Sequence, residues 1–254
     1  SPFARDSLSL SLSGVNRTAA YAPAAPKTPT PMYFNAFLLL IFFCSSIVVI
    51  ISYLFFDLPK LCFFYTFATM IKQKVCAFIA TRILGWKLIG KPIPVPKCII
   101  LGVPHTSMWD FVISFLFYAG IGGKAKVLVK SDIFKWPLRG LLLWAGAIPV
   151  DRGKGASFTR HMIDAVRREA HMHLAIAPEG TREATKNWKA GFHTLSRALD
   201  IPVYYGYFDW GRKEIGVAEQ VLITEDVEAD MRRIKQWYID KGVIGKHPER
   251  FDPY

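Results

Sequence analysis

Residues 97–110, Lys97-Cys-Ile-Ile-Leu-Gly-Val-Pro-His-Thr-Ser-Met-Trp-Asp110, decide how the rest of the chain is read. The first seven are an unbroken apolar run of strand length behind one lysine, the pattern of a strand buried on both faces. Pro104 ends that run, because proline has no N–H for a ladder. His105 follows at once, Asp110 comes after four more residues, and beyond them Phe111–Tyr118 is apolar enough to be a buried helix. A histidine at a strand end with a carboxylate behind it can be an acid/base unit, the carboxylate fixing the tautomer and stabilising the imidazolium. The same residues also read as a plain helix start, with Thr106 or Ser107 as N-cap and Asp110 near the positive end of the dipole.

Beyond Lys97, strand-like and helix-like segments alternate. Strands are expected over Lys97–Val103, Ala125–Val129, His173–Ala177, Ile201–Phe208 and Ile215–Ile223. Helices are expected over Trp109–Tyr118, Ser157–Ala170, Trp188–Leu199 and Val227–Lys241. Alternation of this kind predicts an α/β domain with a mixed, largely parallel sheet flanked by helices.

The part before Lys97 differs in kind. Residues 1–31 are rich in Ser, Ala, Pro and Thr and carry one acid, Asp6, so they read as a disordered leader or a non-native extension before Met32. Phe34–Phe56 has no charged residue; as a helix it would be about 34 Å long, enough to cross the hydrocarbon core. Leu61–Leu84 is apolar but broken by Lys72, Gln73 and Lys74, which suits a helix lying in the membrane interface. Lys91-Pro-Ile-Pro-Val-Pro96 is a stiff connector. The expected organisation is therefore a leader (1–31), a membrane-anchoring helical region with connector (32–96) and a catalytic domain (97–254). Basic residues lie on both sides of the apolar segment, and if residues 1–31 are not native their bias puts that domain on the cytoplasmic side.

The net charge of +12 suits an anionic partner. With a membrane segment present and no zinc-finger spacing, RNP-like motif or long basic run, an anionic lipid is favoured over nucleic acid. Cys44, Cys62, Cys76 and Cys98 form no C-x-x-C pair and sit among apolar residues, so they read as buried thiols. His171-x-His173 lacks a third ligand, and no metal site is expected.

Three more stretches stand out. Lys130–Arg152 ends in Gly146-Ala-Ile-Pro-Val-Asp-Arg152. Ala177-Pro-Glu-Gly-Thr-Arg182 follows an expected strand, where ligands of α/β sheets bind. There Gly180 permits a tight turn and Arg182 offers a planar fork for phosphate. Ile201-Pro-Val203 opens the next strand.

Together His105…Asp110, Gly146-x-Ile-x-Val-Asp-Arg152, Pro178-Glu-Gly-Thr-Arg182 and Ile201-Pro-Val203 resemble the four ordered blocks of the glycerolipid acyltransferase family, the family of the 1-acylglycerol-3-phosphate acyltransferases. Ala177 departs from the aromatic residue often found before Pro-Glu-Gly, and residues 210–254 carry no block of the family. The resemblance implies an enzyme in which His105 is the general base on an acceptor hydroxyl and Asp110 orients it. The acyl group would pass directly from acyl-CoA or acyl carrier protein, as co-substrate and without a resident cofactor, to a lysophospholipid. Lysophosphatidic acid is the foremost acceptor; other lysophospholipids, glycerol-3-phosphate and amine-lipids are alternatives, as is a non-catalytic lipid-binding protein. Glu179, Gly180, Thr181 and Arg182 would bind the acceptor, with Lys130 and Arg152 as further phosphate ligands. A mutual Glu179–Arg182 ion pair is the plain alternative. Phe134, Trp136 and Trp144 would line an acyl tunnel or serve as core or interface anchors.

Overall fold

The computed structural model describes residues 58–135, 138–150 and 155–254. The expected leader, the expected membrane span Phe34–Phe56, Trp136 and Arg152 lie outside the described residues. The first element is a helix, α1 (Leu58–Phe78), prolonged by one wider turn over Ile79–Ile83. There follow β1 (Lys87–Ile89), β2 (Lys97–Val103), α2 (Trp109–Gly120), β3 (Ala125–Lys130), α3 (Leu138–Trp144) and β4 (Ala147–Val150). The chain continues through α4 (Gly155–Arg168), β5 (Met172–Ile176), α5 (Gly191–Leu199), β6 (Val203–Asp209), β7 (Glu214–Val221) and α6 (Val227–Lys241).

Seven strands form one sheet in the order β1-β7-β6-β2-β5-β3-β4. All neighbours are parallel except β6 and β7. The expected mixed, largely parallel sheet is thus the observed one. β2 holds the centre, and its side chains alternate between two cores as the period of a strand requires. Ile99, Leu101 and Val103 pack with Met162 and Val166 of α4, Phe192 of α5, and Ile234 and Tyr238 of α6. Cys98 and Ile100 pack on the other face, with Ile113 and Phe117 of α2. Burying each large side chain of β2 stabilises the fold by about 1.5–3 kcal/mol.

α1 lies over α2, with Cys76 and Ala80 packed against Val112 and Leu116. The helices come close where Gly120 faces Ala77: a Cβ on Gly120 would stand 3.1 Å from the Ala77 backbone. Among the described residues no helix is long and apolar enough to cross a membrane.

Several boundaries differ from the sequence reading. β1 and β4, only three and four residues long, are not foreseen; β1 brings the sheet back to Lys87, ahead of the expected start at Lys97. α5 begins at Gly191 instead of Trp188, because the Trp188 and Lys189 N–H groups donate to the Lys186 and Pro178 carbonyls. β6 begins after Pro202, whose carbonyl accepts the Ile99 N–H.

Candidate active site

Three adjacent parallel strands, β6, β2 and β5, end side by side. In register, Leu101 of β2 lies beside Ile176 of β5 and Val103 beside Tyr207 of β6. Residues just past these ends meet in space although they are far apart in sequence. β2 delivers His105, β5 delivers Glu179 and β6 delivers Trp210.

His105 and Asp110 form the pair expected of them, with His105 Nδ1 3.3 Å from Asp110 Oδ2. The carboxylate is buried, whereas the imidazole keeps about a quarter of its surface open. Asp110 Oδ2 also accepts the Thr106 and Ser107 N–H groups, at 2.8 Å each. The expected N-cap is not Thr106 or Ser107: Met108 stands at the cap position without a side-chain bond, and Asp110, in the first turn, bonds back to the loop while facing the imidazole. Those two main-chain bonds hold the carboxylate where it can accept the imidazole proton on Nδ1. That tautomer leaves Nε2 of His105 as the basic nitrogen.

Glu179 is buried, and both its carboxyl oxygens lie within bonding range of the His105 N–H, at 3.1 and 2.9 Å. Its carboxyl goes to the main chain of His105 and not to Arg182. Burial pushes the Glu179 carboxyl up to about 8; the His105 N–H opposes this and the Asp110 charge adds to it. Gly180 has φ +68°, a left-handed turn that glycine takes without strain. Thr181 is half-buried and its Oγ1 accepts the Glu183 N–H, while Arg182 is exposed. Lys130 is exposed at the end of β3 and pairs with Asp132.

A cleft of about 720 Å³ opens at the strand ends, lined by His105, Asp110, Gly180, Lys189 and Phe208 among others. A second, largely apolar cavity of about 310 Å³ runs between α2 and the sheet. The two share Gly102, Phe111, Ser114, Val127, Ala175 and Phe208, so they meet beneath the His105 loop. Tyr118 and His173 line the inner cavity, about 12 Å along α2 from Asp110. The Tyr118 hydroxyl bonds to His173 Nδ1, and His173 Nε2 donates to the Val95 carbonyl at 2.7 Å. Both ring nitrogens of His173 are thus engaged within the protein. Trp144 lines this cavity as well.

Two features of the site escape the sequence reading. Trp210 Nε1 donates to Asp110 Oδ1 at 2.8 Å, which anchors the other carboxylate oxygen. The only sequence signal for it is position, just past an expected strand, as for His105 and Glu179. Residues 244–247 wrap the His105 loop: Trp210 N–H donates to the Ile244 carbonyl and His247 N–H to Thr106 Oγ1. Lys246 lies over the Trp109 and Trp210 rings at 5.1 and 4.8 Å. Burial there pulls its ammonium below the usual lysine range, against the Asp110 charge.

A buried carboxylate, an imidazole and an apolar cavity opening beside them suit transfer of a hydrophobic acyl group. The family model for acyltransferases matches residues 90–205, which contain β2 to β5 and both strand-end loops. That match supports a glycerolipid acyltransferase, and the four glycerolipid blocks stand after β2, at β4, after β5 and at the start of β6. The fold is similar to that of the 1-acyl-sn-glycerophosphate (LPA) acyltransferase PlsC from Thermotoga maritima, with a TM-score of 0.54. That likeness covers 83% of this chain and 92% of the other, at 15% sequence identity. No curated protein matches the sequence. The protein is an acyltransferase, like the 1-acylglycerol-3-phosphate O-acyltransferases.

Proposed function

We propose that the enzyme moves a fatty acyl chain from acyl-CoA or acyl carrier protein to the free hydroxyl of a lysophospholipid, with lysophosphatidic acid as acceptor and phosphatidic acid as product. The observation that carries this reading is the His105–Asp110 pair in the strand-end cleft, where that cleft meets the inner apolar cavity. Nε2 of His105 removes the hydroxyl proton as the oxygen attacks the thioester carbonyl carbon. The tetrahedral intermediate then collapses, the C–S bond breaks, and the imidazolium returns its proton to the leaving thiolate. Asp110 stabilises the imidazolium in between. The acyl chain occupies the inner cavity under α2, and Arg182, with Lys130 and Arg152, attracts the headgroup phosphate. Gly180 and Thr181 shape the same loop.

A bilayer as the site of action is supported by α1. Phe67, Met70, Ile71, Val75 and Phe78 are exposed on one side of the helix, around the exposed Lys74. Lys72 instead turns inward, over the Phe115 and Trp144 rings at 5.0 and 4.5 Å. A face of exposed apolar side chains around a single lysine suits the lipid interface better than water. The catalytic domain then works at the cytoplasmic face, where lysolipid and acyl chain both partition.

The test is thiol release from acyl-CoA or acyl carrier protein, with a panel of lysolipid acceptors and analysis of the product lipid. Lysophosphatidic acid should give the highest rate. His105→Ala should lower kcat by about 10²–10⁴-fold, and Arg182→Ala should raise KM for the acceptor. A full rate in His105→Ala removes the proposed base, and an unchanged acceptor KM in Arg182→Ala removes the phosphate role. Binding of lysolipid without turnover of any thioester would replace catalysis by lipid binding.

A further inference from the structure

We propose that Glu179 is a positioning residue: it fixes His105 through the main-chain N–H of that residue and is not a ligand of the acceptor. The proposal rests on His105 being the base. It assigns to Glu179 a different task from its neighbours Gly180 to Arg182 in the same short block.

The geometry is specific. β2 ends at Val103, and Pro104 has no N–H, so His105 carries the first donor past the strand. A main-chain N–H there without a partner is destabilising and leaves the loop free to rotate. β5, the strand beside β2, supplies the partner 74 residues later: the Glu179 carboxyl spans the gap between the two strand ends. The side chain is 5% exposed, and it does not line the cleft that holds His105, whereas Ala177 and Gly180 on either side do. The left-handed turn at Gly180 lets Glu179 point inward while Gly180 itself lines the cleft.

Charge argues the same way. A phosphate-bearing acceptor is repelled by a carboxylate in its site, so an acid in the headgroup pocket works against binding. An acid turned away from the cleft and held neutral by burial does not. With its proton on, Glu179 still accepts the His105 N–H through its carbonyl oxygen. The carboxamide of glutamine offers the same acceptor at the same reach, which separates this role from one that needs charge.

Two variants of the full chain test the proposal: Glu179→Gln and Glu179→Ala. Steady-state rates with lysophosphatidic acid and acyl-CoA should show Glu179→Gln within about 3-fold of the wild-type kcat, since a neutral acceptor remains. Glu179→Ala should lose about 100-fold in kcat, the cost of a misplaced reacting group, with acceptor KM changed less than 2-fold. The pH–rate profile adds a readout that a purely structural role would not move. Any alkaline limb near pH 8 that comes from ionisation of Glu179 should be absent in Glu179→Gln. The proposal is overturned if Gln is as damaging as Ala, or if either substitution raises acceptor KM while keeping kcat. If Glu179→Ala does not fold, the Gln variant alone decides: a kcat lowered well beyond about 3-fold, or a raised acceptor KM with kcat kept, overturns the proposal. His105→Ala, run in parallel, separates the two readings: its failure to slow the reaction sinks the base itself, while a slow His105→Ala beside a slow Glu179→Gln sinks only the positioning role.

Discussion

Replacing Trp210 by Phe removes one hydrogen bond and little else. The indole N–H donates to Asp110 Oδ1 at 2.8 Å, while the ring meets Trp86 edge-on at 4.9 Å and lies under Lys246. Phenylalanine keeps an aromatic face for both neighbours and deletes the donor. Asp110 is 1% exposed, so water does not readily replace the lost partner. A hydrogen bond to a charged group is worth about 1.5–3 kcal/mol. In a domain of this size that corresponds to a fall in unfolding midpoint of roughly 3–12 °C. The rate should fall too, because Asp110 then holds the imidazole with one oxygen anchored instead of two; about tenfold in kcat corresponds to 1.4 kcal/mol of the same energy. Thermal unfolding of the purified enzyme, with kcat for thiol release under saturating acceptor, reads both effects. Trp210→Ala, which also strips the ring contacts, should cost more stability. If Trp210→Phe matches wild type in both midpoint and kcat, Trp210 does not anchor the catalytic carboxylate and the three-strand account of the site is wrong.

Other outcomes follow from the same geometry. Gly180→Ala places a side chain at φ +68° and 3.2 Å from Lys189 Cγ, so it should destabilise by about 1–2 kcal/mol, read as a lower denaturation midpoint; an unchanged midpoint would contradict the turn described. Tyr118→Ala opens the end of the inner cavity and should shift acyl preference toward longer chains in a donor series; an unaltered preference would place the acyl chain elsewhere. Glu179 gives a pH signature in stability. Its carboxyl titrates near 4.5 when unfolded and near 8 when buried, so the native state loses stability as pH climbs through that window and levels off above it. Glu179→Gln lacks this loss, so its denaturation midpoint should gain on the wild type from pH 5 to pH 8; a constant difference would mean that Glu179 is ionised in the fold.

The elements legible in the sequence are those whose local signals agree with their burial. β2 is buried on both faces and reads as a continuous apolar run. α6 begins at Val227 and ends at Lys241, as expected, because Asp226 caps its start, accepting the Ala229 N–H, and Gly242 closes it in the left-handed conformation. β1 and β4 escape notice because three- and four-residue edge strands leave no period to read. The site was legible to the same degree. His105 and Asp110 lie five residues apart, in the loop after β2 and the first turn of α2, and local spacing exposes them. The inward turn of Glu179 and the indole of Trp210 depend on β5 and β6 flanking β2. That order is a property of the sheet, and no spacing along the chain encodes it.

The wrapping of the His105 loop by residues 244–247 has a consequence for how the enzyme is made. A Cβ on Gly245 would stand 2.7 Å from Thr106 Cγ2, and His247 N–H closes on Thr106 Oγ1 at 3.2 Å. Synthesis runs from the N-terminus, and the early parts of a chain can begin to fold while later ones are still being added. Here the histidine emerges early, but the wall behind its loop is translated some 140 residues afterwards. A nascent chain can assemble β2 to β5 and carry every block of the family while its catalytic loop stands open on one side. The contacts that close the far side of the His105 loop are complete only once residue 247 has been added.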